Sequence, residues 1–142
     1  RRAEEEQQRA EEERRRLLEE QRAREAEERR ATEAEELRKR QEEEARLRAE
    51  EARKREQLGK ILASGGFAGV SERKKKSGML SSGFTYPLHV AVKAADAQAV
   101  GLLLWAGADR SLKDSAKLTP LMLAQKLDKK GSHRHVIQAL SA

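Results

Sequence analysis

The pattern Pro-Leu-x-x-Ala occurs twice, at Pro87-Leu88-His89-Val90-Ala91 and at Pro120-Leu121-Met122-Leu123-Ala124, with the two prolines 33 residues apart. Helical units that recur at such a period cannot bury their apolar faces alone and fold by stacking on one another. The C-terminal part of the chain is therefore expected to be a layered array of short helices. Each Pro suits the first turn of a helix, where its missing N–H costs nothing. Val100, Leu103 and Leu104 follow at helical spacing and predict a second helix. Gly107 supplies the positive φ that ends it.

The full run extends the pattern: Tyr86 to Ala91, then Ala99-Val100-Gly101-Leu102-Leu103-Leu104, then Ala106-Gly107-Ala108-Asp109, then Lys113-Asp114. It resembles the ankyrin repeat, whose period is also 33 residues. The resemblance implies binding to other macromolecules rather than chemistry. It also implies that Leu88 and Ala91 face the core and that His89 bonds backbone groups of adjacent units. The chain departs from the family's pattern in several places. Tyr86 replaces the usual Thr, so one hydroxyl–His contact of the family is lost. The second unit has Met122 where His is expected and Lys117 in place of the turn Gly. It inserts Lys129-Lys130-Gly131 before a short outer helix with Ser132 as its N-cap, followed by Val136, Ile137 and Leu140. His133 and His135 point to different sides of that helix, make a poor chelate, and are read as solvated.

The other half is of a different kind. From Arg1 to Leu58 there is neither Gly nor Pro, and nearly every residue is a strong helix former. Glu precedes a cation by four positions repeatedly, as in Glu5/Arg9, Glu12/Arg16, Glu25/Arg29, Glu42/Arg46 and Glu51/Arg55. Each such pair contributes roughly 0.2–0.5 kcal/mol. A coiled coil needs sustained apolar a and d positions. The best seven-residue lattice is thin (Ala3, Ala10, Leu17, Arg24, Ala31, Arg38, Ala45), and Arg interrupts it twice. The leading expectation is a single charged helix, with a weak coiled coil as the alternative.

Leu58, Ile61 and Leu62 give the end of this helix an apolar stripe. Ile61 to Gly66 echoes Leu103 to Ala108, so residues 53–63 read as the outer helix of a degenerate first unit. Gly65 is expected to end it in the left-handed conformation, with Phe67 and Val70 covering the cap. The helix then runs unbroken into the array as a stiff lever. Residues 71–83 form an inserted Gly/Ser/Lys-rich finger around Arg73-Lys74-Lys75-Lys76. The expected organisation is an all-α fold: a charged helix over 1–58, a cap and inserted loop over 59–83, and the short helical solenoid with hairpin-like loops over 84–142.

Charge follows this division. Residues 1–58 hold 18 Arg/Lys against 20 Glu, whereas residues 59–142 hold 13 against 5 Asp/Glu, so the net positive charge belongs to the repeats. With no Cys, disulfide frameworks, zinc fingers and thiol catalysis are excluded. No paired nucleophile and base and no metal-ligand cluster occur, so no catalytic residue, cofactor or metal is expected. No apolar run reaches the roughly 20 residues that cross a bilayer, so no membrane insertion is expected. An intracellular, cytoplasmic setting is the expectation. The chain opens on Arg1 rather than Met and reads as a piece of a longer protein. The expected role is a non-enzymatic interaction or scaffold subunit within a larger assembly. Arg73, Lys74, Lys75, Lys76, Arg110, Lys113 and Lys117 are finger-tip cations for an acidic protein surface. Trp105, at an outer-helix position four residues beyond Gly101, is either a binding anchor or packed beneath the inserted loop. Alternative readings are an accessory nucleic-acid-associated protein on a ribosome-like particle, or a filament binder through the charged helix.

Overall fold

A computed structural model describes residues 1–76 and 83–142. The middle of the inserted loop expected at 71–83 thus lies outside the described residues. The fold is all-α: α1 (Arg2–Gly65), a hairpin of β1 (Lys74–Lys75) with β2 (Phe84–Thr85), then α2 (Pro87–Lys93), α3 (Ala97–Trp105), α4 (Pro120–Leu127) and α5 (Arg134–Ser141). The strands are antiparallel, Lys74 opposite Thr85 and Lys75 opposite Phe84. By contacts the chain divides into two compact units, Arg1–Ala49 and Glu50–Ala142.

The first unit is a stretch of α1 alone, with Leu17, Leu18, Leu37 and Leu47 all about half exposed or more. It has no apolar face and is stabilised by the propensity of its residues. The Glu–cation pairs matter less than their spacing suggests. Among the described residues of α1, Glu51–Arg55 closes at 2.5 Å, and Glu35–Lys39 and Glu56–Lys60 stand at 3.8 Å. The other expected pairs stay open, because holding two long solvated side chains together costs entropy comparable to the gain.

In the second unit α2 packs on α3 and α4, and α5 packs on α3 and α4. Leu88, Val92, Val100, Leu103, Leu123, Ala124, Val136 and Leu140 form the core. Burying each Leu or Val contributes about 1.5–3 kcal/mol. Leu58, Ile61, Leu62 and Val70 are half-buried against the same core.

Three helices end in the same way. In α1, Phe67 N–H donates to the Leu62 carbonyl at 2.9 Å and Gly66 N–H to Ala63 at 3.1 Å. In α3, Ala108 N–H donates to Leu103 and Gly107 N–H to Leu104; in α2, Asp96 N–H donates to Ala91 and Ala95 N–H to Val92. Each is a Schellman turn with its third-from-last carbonyl satisfied and one residue at positive φ. Those residues are Gly66 (φ 71°), Gly107 (φ 88°) and, without the freedom of glycine, Ala95 (φ 55°). Gly66 rather than Gly65 carries the left-handed conformation, so the echo between the two outer helices is displaced by one residue: Leu62 corresponds to Leu103, not Leu104.

The start of α5 also differs from expectation. Its N-cap is His133, which makes no side-chain cap bond. The Ser132 hydroxyl instead accepts from Lys129 N–H at 3.0 Å and meets His133 Nδ1 at 2.9 Å. It closes the turn before the helix. His133, expected in solvent, is buried, with its N–H donated to Asp128.

Candidate interaction surface

Two fingers carry the cations. In the second, Asp114 is buried and its Oδ1 accepts the N–H groups of Ala116 at 3.0 Å and Leu118 at 3.1 Å. Lys117 N–H donates to the Asp114 carbonyl at 2.9 Å, and Lys117 sits at φ 65°. This buried carboxylate holds the turn on which Lys113 and Lys117 stand exposed. The two fingers touch. Ser115 donates its N–H and its hydroxyl to the Phe84 carbonyl, and a side chain in place of Gly83 would collide with Ser115. The cations of the first finger are thereby held beside those of the second.

The first finger is partly committed internally. Lys74 Nζ donates to the Gly65 carbonyl at 2.7 Å, capping the end of α1, and stands 5.9 Å from the Phe67 ring centroid. Arg73 lies 5.0 Å over the Phe84 ring. Lys75 is exposed on β1, and Lys76 is half-buried with its N–H on the Gly83 carbonyl. Arg110 is exposed, but its guanidinium donates to the carbonyls of Leu140 at 2.9 Å and Ala142 at 2.8 Å, tying down the end of α5. Asp109 accepts from the N–H and hydroxyl of Ser111, which holds its carboxyl below the usual carboxylate range.

Trp105 is the last residue of α3. It is 43% exposed, and Gly101 leaves open space one turn before it. Lys54 of α1 lies over its ring at 5.3 Å. The sequence reading did not single out Lys54, which nothing distinguishes from its charged neighbours. Its role follows only from where α1 passes α3.

His89 joins the units. Its Nε2 lies 2.8 Å from the Leu118 carbonyl, and since a carbonyl only accepts, Nε2 carries the proton. Nδ1 is buried without a partner. Tyr86, half-buried with its ring 5.6 Å from the imidazole, offers no hydroxyl there. Burial pushes the His89 pKa down, against the raising effects of the Leu118 carbonyl and Asp114.

The sequence model described as ankyrin repeat matches residues 85–115. That span runs from Thr85 of β2 through α2 and α3 to the start of the turn closed by Asp114. The chain carries an ankyrin repeat. Among curated proteins none matches the chain. The ankyrin repeat is an interaction fold, and the His89–Leu118 bond and the Asp114 turn join α2 to the segment that leads into α4. Among the described residues no group of His, Cys, Asp and Glu can hold a metal, and no helix is long and apolar enough to cross a membrane.

Proposed function

We propose that this protein is a non-enzymatic subunit of a larger assembly, whose ankyrin unit docks on an acidic protein surface. The charged stretch of α1 acts as a spacer or clamp. The observation that carries this reading is the juxtaposition of two cationic fingers through Phe84 and Ser115 on an interaction fold. Lys75, Lys113 and Lys117 supply exposed charge, Arg73 and Lys76 flank them, and Lys74 adds its charge while capping α1. Arg110 adds its charge while one guanidinium nitrogen holds the carbonyls of Leu140 and Ala142. Trp105 supplies apolar contact area, with the Lys54 ammonium over its ring.

The test is reversal of Lys75, Lys113 and Lys117 to Glu, with partners recovered from native source and identified by mass spectrometry. Acidic proteins should be lost and the salt dependence of their association flattened. Selective loss of RNA would assign the fingers to nucleic acid instead, and unchanged recovery would remove the finger tips from the interface.

A further inference from the structure

Among the described residues the array has no inner helix at its N-terminal end. In the ordered units an inner helix is followed by an outer one: α2 by α3, and α4 by α5. The last turns of α1 pack as an outer helix, with Leu58, Ile61 and Leu62 on the core. The residues before them, which would form the matching inner helix, simply continue α1. Among the described residues no further helix packs on that side of α2, where Pro87 and Ala91 are buried and Val90 and Ala94 are exposed. The face bearing His89 turns to Leu118 and α4. Pro87, Val90, Ala91 and Ala94 recur at spacings of three and four on the opposite face. They line a cleft of about 240 Å³ whose other wall is Ile61, Gly65 and Phe67. Val90 is 38% exposed there.

We propose that this cleft takes a short amphipathic helix from a partner protein, lying parallel to α2 as a guest inner helix. Three observations choose this occupant. The available length is that of α2 and α4, 7 and 8 residues, so about two helical turns fit. The outer position is already filled by α1, so a complete repeat from a second copy would overlap Leu58, Ile61 and Leu62, whereas a lone helix does not. The charges are ordered along the cleft. Lys74 is bound to the Gly65 carbonyl, one of the lining residues, towards the Pro87 end, and the Asp96 carboxylate lies just beyond Ala94 at the other. A helix with an acidic first turn and a basic last turn matches both ends, and its own macrodipole favours the same arrangement. Its apolar residues at i, i+3 and i+4 meet Val90 and Phe67.

This inference rests on the proposed role as a protein-binding subunit, and its cleft shares Lys74 but no other residue with the finger tips. The probe is a stapled peptide carrying the sequence of Pro87–Lys93 behind two added glutamates, so that it repeats the way α2 sits on α4. It is titrated into the ¹⁵N-labelled full chain. Amide shifts should concentrate at residues 64–67 and 90–96. Val90→Arg, an exposed substitution, should raise Kd at least tenfold, with Ala94→Arg as a second exposed variant in case the first perturbs the fold. Lys74→Glu should weaken the glutamate-headed peptide several-fold more than a glutamine-headed one. Lys113→Glu with Lys117→Glu should leave peptide binding intact, which separates this result from failure of the finger-tip reading. Shifts elsewhere, no shifts at millimolar peptide, or unchanged binding by both cleft variants would overturn the proposal. Self-association of the free chain abolished by Val90→Arg would give the cleft to a second copy and also overturn it.

Discussion

His89 donates its Nε2–H to the Leu118 carbonyl across 2.8 Å, so one imidazole fastens α2 to the turn that leads into α4. The other ring nitrogen is buried without a partner. Protonating it would create a donor and a charge where neither is satisfied, and burial accordingly holds the His89 pKa below its ordinary 6.5. The unfolded chain then takes up the proton first as pH falls. The stability from neutral His89 is complete above about 6.5 and declines as pH drops through 6.5 toward the lower folded value. Thermal melts between pH 7 and 5 should show this decline. His89→Gln, which keeps a donor but does not titrate, should remove it, and an equal decline in that variant would shift the cause to other groups.

Gly107 and Ala95 make a matched pair at equivalent turns. Nothing lies within 4 Å of a side chain placed at Gly107, so Gly107→Ala meets only the cost of positive φ. It should destabilise by about 1 kcal/mol. Ala95→Gly relieves the same strain at φ 55° and should stabilise by roughly 0.5–1 kcal/mol, after the entropy that glycine adds to the unfolded chain. Denaturant titrations giving the same sign for both would refute the strain argument.

Arg110→Ala frees the carbonyls of Leu140 and Ala142. Charge-assisted bonds of this kind contribute about 1–3 kcal/mol where partly buried, and the exposed geometry here places the expected loss near the lower end. Hydrogen exchange should accelerate through α5 before it does so in α2 or α3.

Trp105→Ala should leave the free protein within about 1 kcal/mol of its stability, since the ring is 43% exposed and its contact with Lys54 is solvent-accessible. A complex that uses the ring as an anchor should lose about 2 kcal/mol or more. Equal losses in free and bound forms, measured by melting both, would make Trp105 a packing residue.

A peptide of residues 1–49 should keep its helicity on dilution, because this unit buries no apolar face. Circular dichroism from micromolar to millimolar concentration checks this. A strong rise with concentration would establish self-association. Added salt should lower helicity modestly by screening the Glu–cation pairs.

The array was legible because its signals are local and periodic. Pro87, Leu88, His89 and Gly107 each need a particular backbone or neighbour, and a fixed period repeats the demand. The charged helix was legible from composition alone. Other features depend on which side chain arrives from far along the chain. Ser132 has the chemistry of an N-cap, but Lys129 N–H reaches its hydroxyl first and moves the cap to His133. Arg110 looks like any exposed cation until the carbonyls of α5, thirty residues later in the chain, come within reach of its guanidinium. Gly65 and Gly66 are adjacent, and only the register of the Phe67–Leu62 bond decides which takes positive φ. The cleft beside α2 was not legible, because it depends on α1 continuing straight where a matching inner helix would lie.

Lys74 has one ammonium group and two claimants. It now closes the last turn of α1 through the Gly65 carbonyl, yet it stands in the finger that would meet an acidic partner. A carboxylate that draws it away weakens its bond to that carbonyl, and by thermodynamic reciprocity, whatever frays the turn makes the lysine easier to draw away. The end of the charged helix would then report on occupancy of the finger. Amide exchange at Gly66 and Phe67 should quicken when an acidic partner binds, and unchanged exchange there would show that the partner shares Lys74 without displacing it.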